Sequence, residues 1–216
     1  TIGALRISTP LALGALGALL ALATAAPLAW GAAQDGKQEK SKEQKKEEKI
    51  EPAELGKPAP GFELKSLDGT TVKLSDFKGK LVVLEWFSPA CPFCKYAYGE
   101  EGPLRTYPEQ LRSKGVVWLS IVSEKPTNPG GSAENIKKFV EENRMKAPML
   151  LDPDGKVGKM YGAKTTPHVF IISEKGALVY RGALDNAPFG KVDKNDNLAN
   201  YVGAAIADLS SGHAVT

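Results

Sequence analysis

Cys91 and Cys94 are the only cysteines of this 216-residue chain, and they share one tetrapeptide, Cys91-Pro92-Phe93-Cys94. The tetrapeptide follows an apolar run, Leu81-Val82-Val83-Leu84-Glu85-Trp86-Phe87. A Cys-x-x-Cys at a strand-to-helix junction is the sequence form of a thiol–disulfide redox site. The positive end of the helix favours the thiolate of the first cysteine and makes it nucleophilic. Any disulfide within the chain must join these two residues. Its loop is too short to constrain much of the unfolded chain, so it reads as reactive rather than as a staple. A metal-site reading is poorly supplied, because zinc takes four ligands and the only histidines are His168 and His213.

The elements that must hold this pair alternate between strand and helix. Phe62-Glu63-Leu64 and Thr71-Val72-Lys73-Leu74 flank Leu67-Asp68-Gly69, a hairpin signal. Leu81 to Phe87 is apolar but for Glu85, as expected of a central strand buried on both faces. A helix is expected to start at Pro92, which a first turn tolerates, and to break around Gly99, Gly102-Pro103 and Pro108. Val116 to Val122 is the next strand. Ser132 should cap a helix that carries Ile136, Phe139 and Val140 on one face. Pro148 to Leu151 reads as a short strand closed by the turn Asp152-Pro153-Asp154-Gly155. A short helix from Val157 to Tyr161 should end at Gly162. Val169-Phe170-Ile171-Ile172 and Ala177-Leu178-Val179-Tyr180 form a second hairpin, and Leu198 to Leu209 a terminal helix. Parallel strands with helical crossovers, followed by an antiparallel hairpin, make a mixed α/β sandwich. Residues 52–212 are one domain's worth of chain, with no internal repeat.

Two segments precede that domain. Residues 1–33 have the parts of a secretory signal peptide: Arg6, an apolar stretch from Leu11 to Ala29, and small residues ending at Gly31-Ala32-Ala33. Cleavage is expected before Gln34. The alternative is a retained membrane anchor, since the apolar run approaches the length that spans a bilayer. The chain starts at Thr1 rather than Met, so an initiator upstream is expected. Export suits the cysteine usage, because disulfide chemistry persists outside the cytoplasm. Residues 34–51 are almost all Lys, Glu and Gln and read as a solvated, disordered linker. The net charge of +3 suggests no nucleic-acid partner.

From about Leu55 to Leu209 the chain resembles the thioredoxin-like superfamily. Four pieces occur in order: Gly56-Lys57-Pro58-Ala59-Pro60-Gly61-Phe62, Leu74-Ser75-Asp76-Phe77-Lys78-Gly79-Lys80, the Cys-Pro-Phe-Cys site, and Tyr161-Gly162-Ala163-Lys164-Thr165-Thr166-Pro167. Within the superfamily it is most similar to exported redoxins of the AhpC/TSA and TlpA-like branch. The resemblance implies a three-layer α/β sandwich, with a mixed central sheet and an N-terminal hairpin extension.

It also implies roles. Cys91 becomes the attacking thiolate, and Cys94 the resolving thiol that attacks Cys91 once a mixed disulfide has formed. Glu85 stands where thioredoxins place a buried acid; a carboxyl in an apolar strand has a raised pKa and is suited to take the proton of Cys94. Thr166-Pro167 matches the cis-proline loop that packs on the dithiol and receives the backbone of an incoming peptide. Trp86 is expected beside the site as a substrate contact, although Trp86 and Phe87 serve equally as plain core aromatics. Pro92 and Phe93 are expected to contact substrate and to tune the redox poise, in a pattern similar to glutaredoxin-like centres. His168 follows the proline, near the sulfurs on one reading and simply half-exposed at a strand start on the other.

The expected activity is extracytoplasmic thiol–disulfide exchange without a bound cofactor. Its partners would be protein or small-molecule disulfides and a separate protein that recycles the dithiol. The alternative is a peroxiredoxin-like peroxidase, with Cys91 oxidised to a sulfenic acid and Cys94 closing the disulfide. Against it, peroxiredoxins carry a Pro where this chain has Leu84, although Ser88 fills the Thr/Ser position and Arg181 is a candidate for their arginine. A third reading is a redox-controlled binding module or metallochaperone. Many of the similar proteins lack a cysteine at the position of Cys94 and carry one beyond the point where this chain stops. Cys94 is therefore one of two candidate resolving partners.

Overall fold

A computed structural model of the protein describes residues 51–215 except Asn195. The expected signal segment, and the linker but for Glu51, lie outside the described residues. No helix among the described residues is long and apolar enough to cross a membrane.

Among the described residues, seven strands form one sheet: β1 (Glu63–Ser66), β2 (Thr71–Lys73), β3 (Val82–Trp86), β4 (Val117–Val122), β5 (Met149–Leu151), β6 (His168–Ile172) and β7 (Leu178–Gly182). Their spatial order is β2-β1-β5-β4-β3-β6-β7. β3 pairs parallel with β4 and antiparallel with β6. All five of its residues are buried, as its apolar run implies. The β1–β2 hairpin extends the sheet through antiparallel pairing of β1 with β5. Its turn rests on Gly69 at φ 89° and on Asp68, whose Oδ1 accepts the Thr70 N–H at 2.9 Å.

Among the described residues, five α-helices cover the faces: α1 (Pro92–Tyr98), α2 (Tyr107–Ser113), α3 (Ala133–Glu142), α4 (Lys156–Tyr161) and α5 (Tyr201–Ser210). Strand side chains alternate between faces, and β3 divides the core accordingly. Val83 and Phe87 join Cys94 and Tyr98 of α1, Leu111 of α2, Phe139 of α3 and Val202 of α5 in one apolar cluster. Val82, Leu84 and Trp86 join Val157 and Tyr161 of α4, with Phe62 and Phe170, in the other. The result is the three-layer sandwich with a mixed sheet.

Helix boundaries follow local chemistry. Ser132 Oγ accepts the Asn135 N–H at 3.4 Å and caps α3, as expected. Gly162, at φ 70°, ends α4 in the left-handed conformation that favours glycine. α5 starts later than expected. Asn200 caps it, its Oδ1 accepting the Gly203 N–H at 2.7 Å, so Leu198 precedes the helix and is 68% exposed.

Candidate functional site

Cys91 is the N-cap of α1, with extended backbone, and Pro92 occupies the first turn without wasting an N–H. The Cys91 side chain is partly exposed, and its Sγ donates to the Thr166 carbonyl at 3.0 Å. The Thr166–Pro167 peptide bond is cis. Segments 75 residues apart thus meet at the reactive sulfur. Burial alone would push the Cys91 thiol up. Hydrogen bonds from the Thr166 side chain, from the backbone N–H groups of Cys94 and Phe93, and from the Cys94 side chain outweigh it, and hold Cys91 below the ordinary thiol range.

Cys94 sits on the inward face of α1 and is fully buried. Burial first, and then the nearby Glu85 carboxylate, push its thiol well up, so it keeps its proton while Cys91 gives one up. Both thiols are free. Two sulfurs in one helical turn therefore sit in opposite electrostatic settings.

Glu85 is fully buried at the centre of β3, opposite Ser120 of β4. Its Oε2 accepts from the Tyr98 hydroxyl, from Trp118 Nε1 at 3.1 Å and from Ser120 Oγ at 3.1 Å. Its Oε1 has no partner among the described residues. Burial dominates the three donors and raises the carboxyl to about 7. That value suits a group that both gives and takes a proton near neutrality. The same anion, after burial, raises Tyr98. Tyr98, Trp118 and Ser120 were not expected from sequence. The only hints are Tyr98 lying four residues after Cys94 and the i, i+2 spacing of Trp118 and Ser120 on one strand face.

The remaining expected residues divide. Phe93 is 42% exposed at the mouth of the site. Pro167 and Thr166 line a cavity of about 260 Å³ beside it. Trp86 takes the core-aromatic role that the sequence left open. It is 3% exposed and packs against Tyr161 and Phe170 at 5.4 and 4.8 Å, and it also lines a second cavity of about 380 Å³ with Thr165 and Thr166. Its indole N–H donates to Ser123 Oγ at 2.9 Å. Phe87 is likewise a core aromatic, against Tyr98 and Phe139. His168 is turned to other work: its Nδ1 accepts the Lys164 N–H at 3.2 Å and its ring lies on Phe170. Burial, then Arg181 and Lys164, lower its pKa. Arg181 donates to the Ala53 carbonyl at 3.2 Å and is not among the groups that stabilise the Cys91 thiolate. Ser88 Oγ accepts the Ala90 N–H at 3.3 Å and shapes the turn before Cys91.

Comparison with known proteins points the same way as the geometry. The AhpC/TSA family matches residues 55–181. The thiol-disulfide oxidoreductase ResA of Bacillus thuringiensis subsp. konkukian (strain 97-27) is 31% identical over 129 residues, covering 60% of this chain and 69% of that protein. The thioredoxin-like protein YneN of Bacillus subtilis (strain 168) is 30% identical over 123 residues, 57% of this chain and 68% of its own length. An uncharacterized conserved protein from Geobacillus kaustophilus has a solved structure that superposes with a TM-score of 0.66 at 32% identity, over 76% of this chain and 85% of that one. A thiol-disulfide oxidoreductase from Bacteroides fragilis NCTC 9343 shares the fold at 19% identity, with a TM-score of 0.51, over 60% of this chain and 93% of that one.

Proposed function

Because the chain belongs to the AhpC/TSA family and carries a thioredoxin-like redoxin domain, we propose that it is a thiol–disulfide oxidoreductase working outside the cytoplasm through the Cys91–Cys94 dithiol. The observation that carries this reading is the opposed setting of the two thiols, one partly exposed and acidified at a helix start, the other buried and protonated beside Glu85.

In the reducing direction, the Cys91 thiolate attacks one sulfur of a partner disulfide. A Cys91–partner disulfide forms, the partner's S–S bond breaks, and its second sulfur leaves as a thiolate. Cys94 then gives its proton to Glu85 and attacks Cys91 Sγ. The intramolecular disulfide forms, the Cys91–partner bond breaks, and the partner's two sulfurs, each released as a thiolate, take up protons from Glu85 and from solvent. Two electrons pass from the protein to its partner. The opposite direction runs the same steps in reverse. Glu85, titrating at about 7, accepts the proton without moving out of the core. Thr166-Pro167, with Phe93 and Pro92, forms the surface on which the partner's backbone lies. Protein disulfides are the substrate class, and a second redox protein restores the starting state.

Residues 1–33 serve as the export signal, cleaved before Gln34 or kept as an anchor, and residues 34–51 as a spacer that leaves the domain at 52–212 free to meet partners.

Offering hydrogen peroxide and a model peptide disulfide together to the reduced protein tests the reaction class. Quenched mass spectrometry should find the Cys91–peptide mixed disulfide first. Sulfenic acid on Cys91, or a Cys91–Cys94 disulfide that tracks peroxide concentration, would instead make it a peroxidase.

A further inference from the structure

The 260 Å³ cavity beside the dithiol has three walls: Phe93 from α1, Thr166 and Pro167 from the cis-proline loop, and Leu184, Pro188 and Phe189 from the segment between β7 and α5. That third wall lies beyond residues 55–181, the part of the chain that the family pattern describes. It is held firmly. The Asn186 side chain closes its base, donating to the Asn197 carbonyl at 2.9 Å and accepting the Ala199 N–H at 2.8 Å. Its tip is docked on α1. The Phe189 ring stacks on Phe93 with centroids 4.5 Å apart and planes 29° from parallel, and it meets Tyr96 at 6.0 Å. Gly190 lies so close to the Tyr96 hydroxyl that a Cβ there would collide with it.

Two features mark Phe189 as more than a surface aromatic. Its φ is +55°, a conformation that bulky residues avoid unless their surroundings impose it, and such residues gather at ligand clamps. Its ring and that of Phe93 are 44% and 42% exposed, paired at the rim of a concave site instead of being buried.

We propose that this cavity receives an apolar side chain adjacent to the target cysteine of an extended protein partner, with Phe189 as the specificity-determining residue. The assignment rests on the thiol–disulfide reading above and names what that site selects. Continuity argues for this occupant. The partner's sulfur must come within about 2.05 Å of Cys91 Sγ, and Phe93 and Thr166 link that point directly to the cavity. Size argues for it as well, since 260 Å³ falls below the roughly 300 Å³ at which small-molecule pockets begin and suits a single side chain. So does charge. Asp185 is the only ionisable carboxyl in the lining and no cation accompanies it, so an acidic neighbour is disfavoured. The chemical step is unchanged; Phe189 acts on which disulfide is presented to Cys91.

The test uses two peptide disulfides that differ only in the residues flanking the cysteine, Phe in one and Ser in the other. Rates of mixed-disulfide formation at Cys91 are measured for each, and the ratio is taken within one protein. The expected ratio in the wild type is about tenfold in favour of Phe, the scale on which an apolar pocket discriminates. It should fall below about threefold in Phe189→Ala and in Phe189→Asn, and persist in Phe189→Tyr. Asn tolerates a positive φ, which keeps the test alive if Ala disturbs the turn. A wild-type ratio near one, or an unchanged ratio in both Phe189→Ala and Phe189→Asn, would overturn the assignment. Failure of both peptides to react at Cys91 is a different result, and it would overturn the thiol–disulfide reading itself.

Discussion

Glu85 and Asp152 are both buried acids, yet one meets α1 and the other α4 on the opposite face of the sheet, and they are satisfied in opposite ways. Asp152 stands at the start of α4. Its Oδ1 accepts the Val157 N–H at 3.2 Å, and its Oδ2 accepts the Gly158 N–H at 2.9 Å and the Ser123 hydroxyl. Ser123 in turn accepts from Trp86. Every Asp152 oxygen is spoken for by backbone and hydroxyl donors that the fold must satisfy anyway. Glu85 places three donors on one oxygen, and its other oxygen has no partner among the described residues. The first arrangement completes a helix start. The second leaves a proton-accepting oxygen beside a thiol that has to lose its proton. Burial of an acid is therefore no sign of function by itself; the pattern of its partners is what distinguishes the two.

Three stability measurements sharpen that contrast, and their effects decrease in order. Glu85 ionises near 4.5 when unfolded and near 7 when folded. Between those values the unfolded chain has released its proton and the folded protein has not, so stability falls as pH rises. The loss should total about 3 kcal/mol from pH 4.5 to 7, from about 1.4 kcal/mol per pH unit. Denaturant unfolding of Glu85→Gln in the same window should lack this slope. An identical slope in the variant would show that Glu85 is not held as a neutral acid. Asp152→Asn should lose about 2 kcal/mol, since an amide nitrogen cannot accept the donors at the start of α4. Its rate of reaction at Cys91 should match that of the wild type. A slowed reaction there would break the division between the two acids. Ser123→Ala, which takes one partner each from Trp86 and Asp152, should cost about 1 kcal/mol.

The chemistry-bearing segment was legible because it is local. Cys91 to Cys94 at the end of an apolar strand, Pro92 in a first turn and a lone Glu85 among hydrophobes are all short-range signals. The β-hairpins and the α3 and α4 boundaries followed from turn and cap residues for the same reason. The cis geometry at Thr166–Pro167 came only through resemblance, since an X-Pro sequence alone favours trans. Long-range register hid the rest. Ser120 and Trp118 reach Glu85 because β4 pairs with β3 as Ser120 opposite Glu85, and no local pattern encodes that pairing. The two roles of Trp86 stay open in sequence because even and odd residues of a strand buried on both faces look alike there. Trp86 faces α4, while Glu85 faces α1, the helix that carries the dithiol. Nothing in the local pattern of Pro188-Phe189-Gly190 marks Phe189, because its partner Phe93 is on α1 and they meet only in the folded chain.

The most direct test of the account follows the second chemical step alone. A mixed disulfide is formed at Cys91, and its release by Cys94 is timed from pH 5 to 9 in the wild type and in Glu85→Gln. The wild-type rate should rise through pH about 7, where Glu85 becomes the free base. In Glu85→Gln the release should be about a hundredfold slower at neutral pH, within the usual range for losing a general base, while the first attack by Cys91 keeps its rate. Equal release rates in the two proteins across that range would contradict the assignment of Glu85 as the proton acceptor of Cys94.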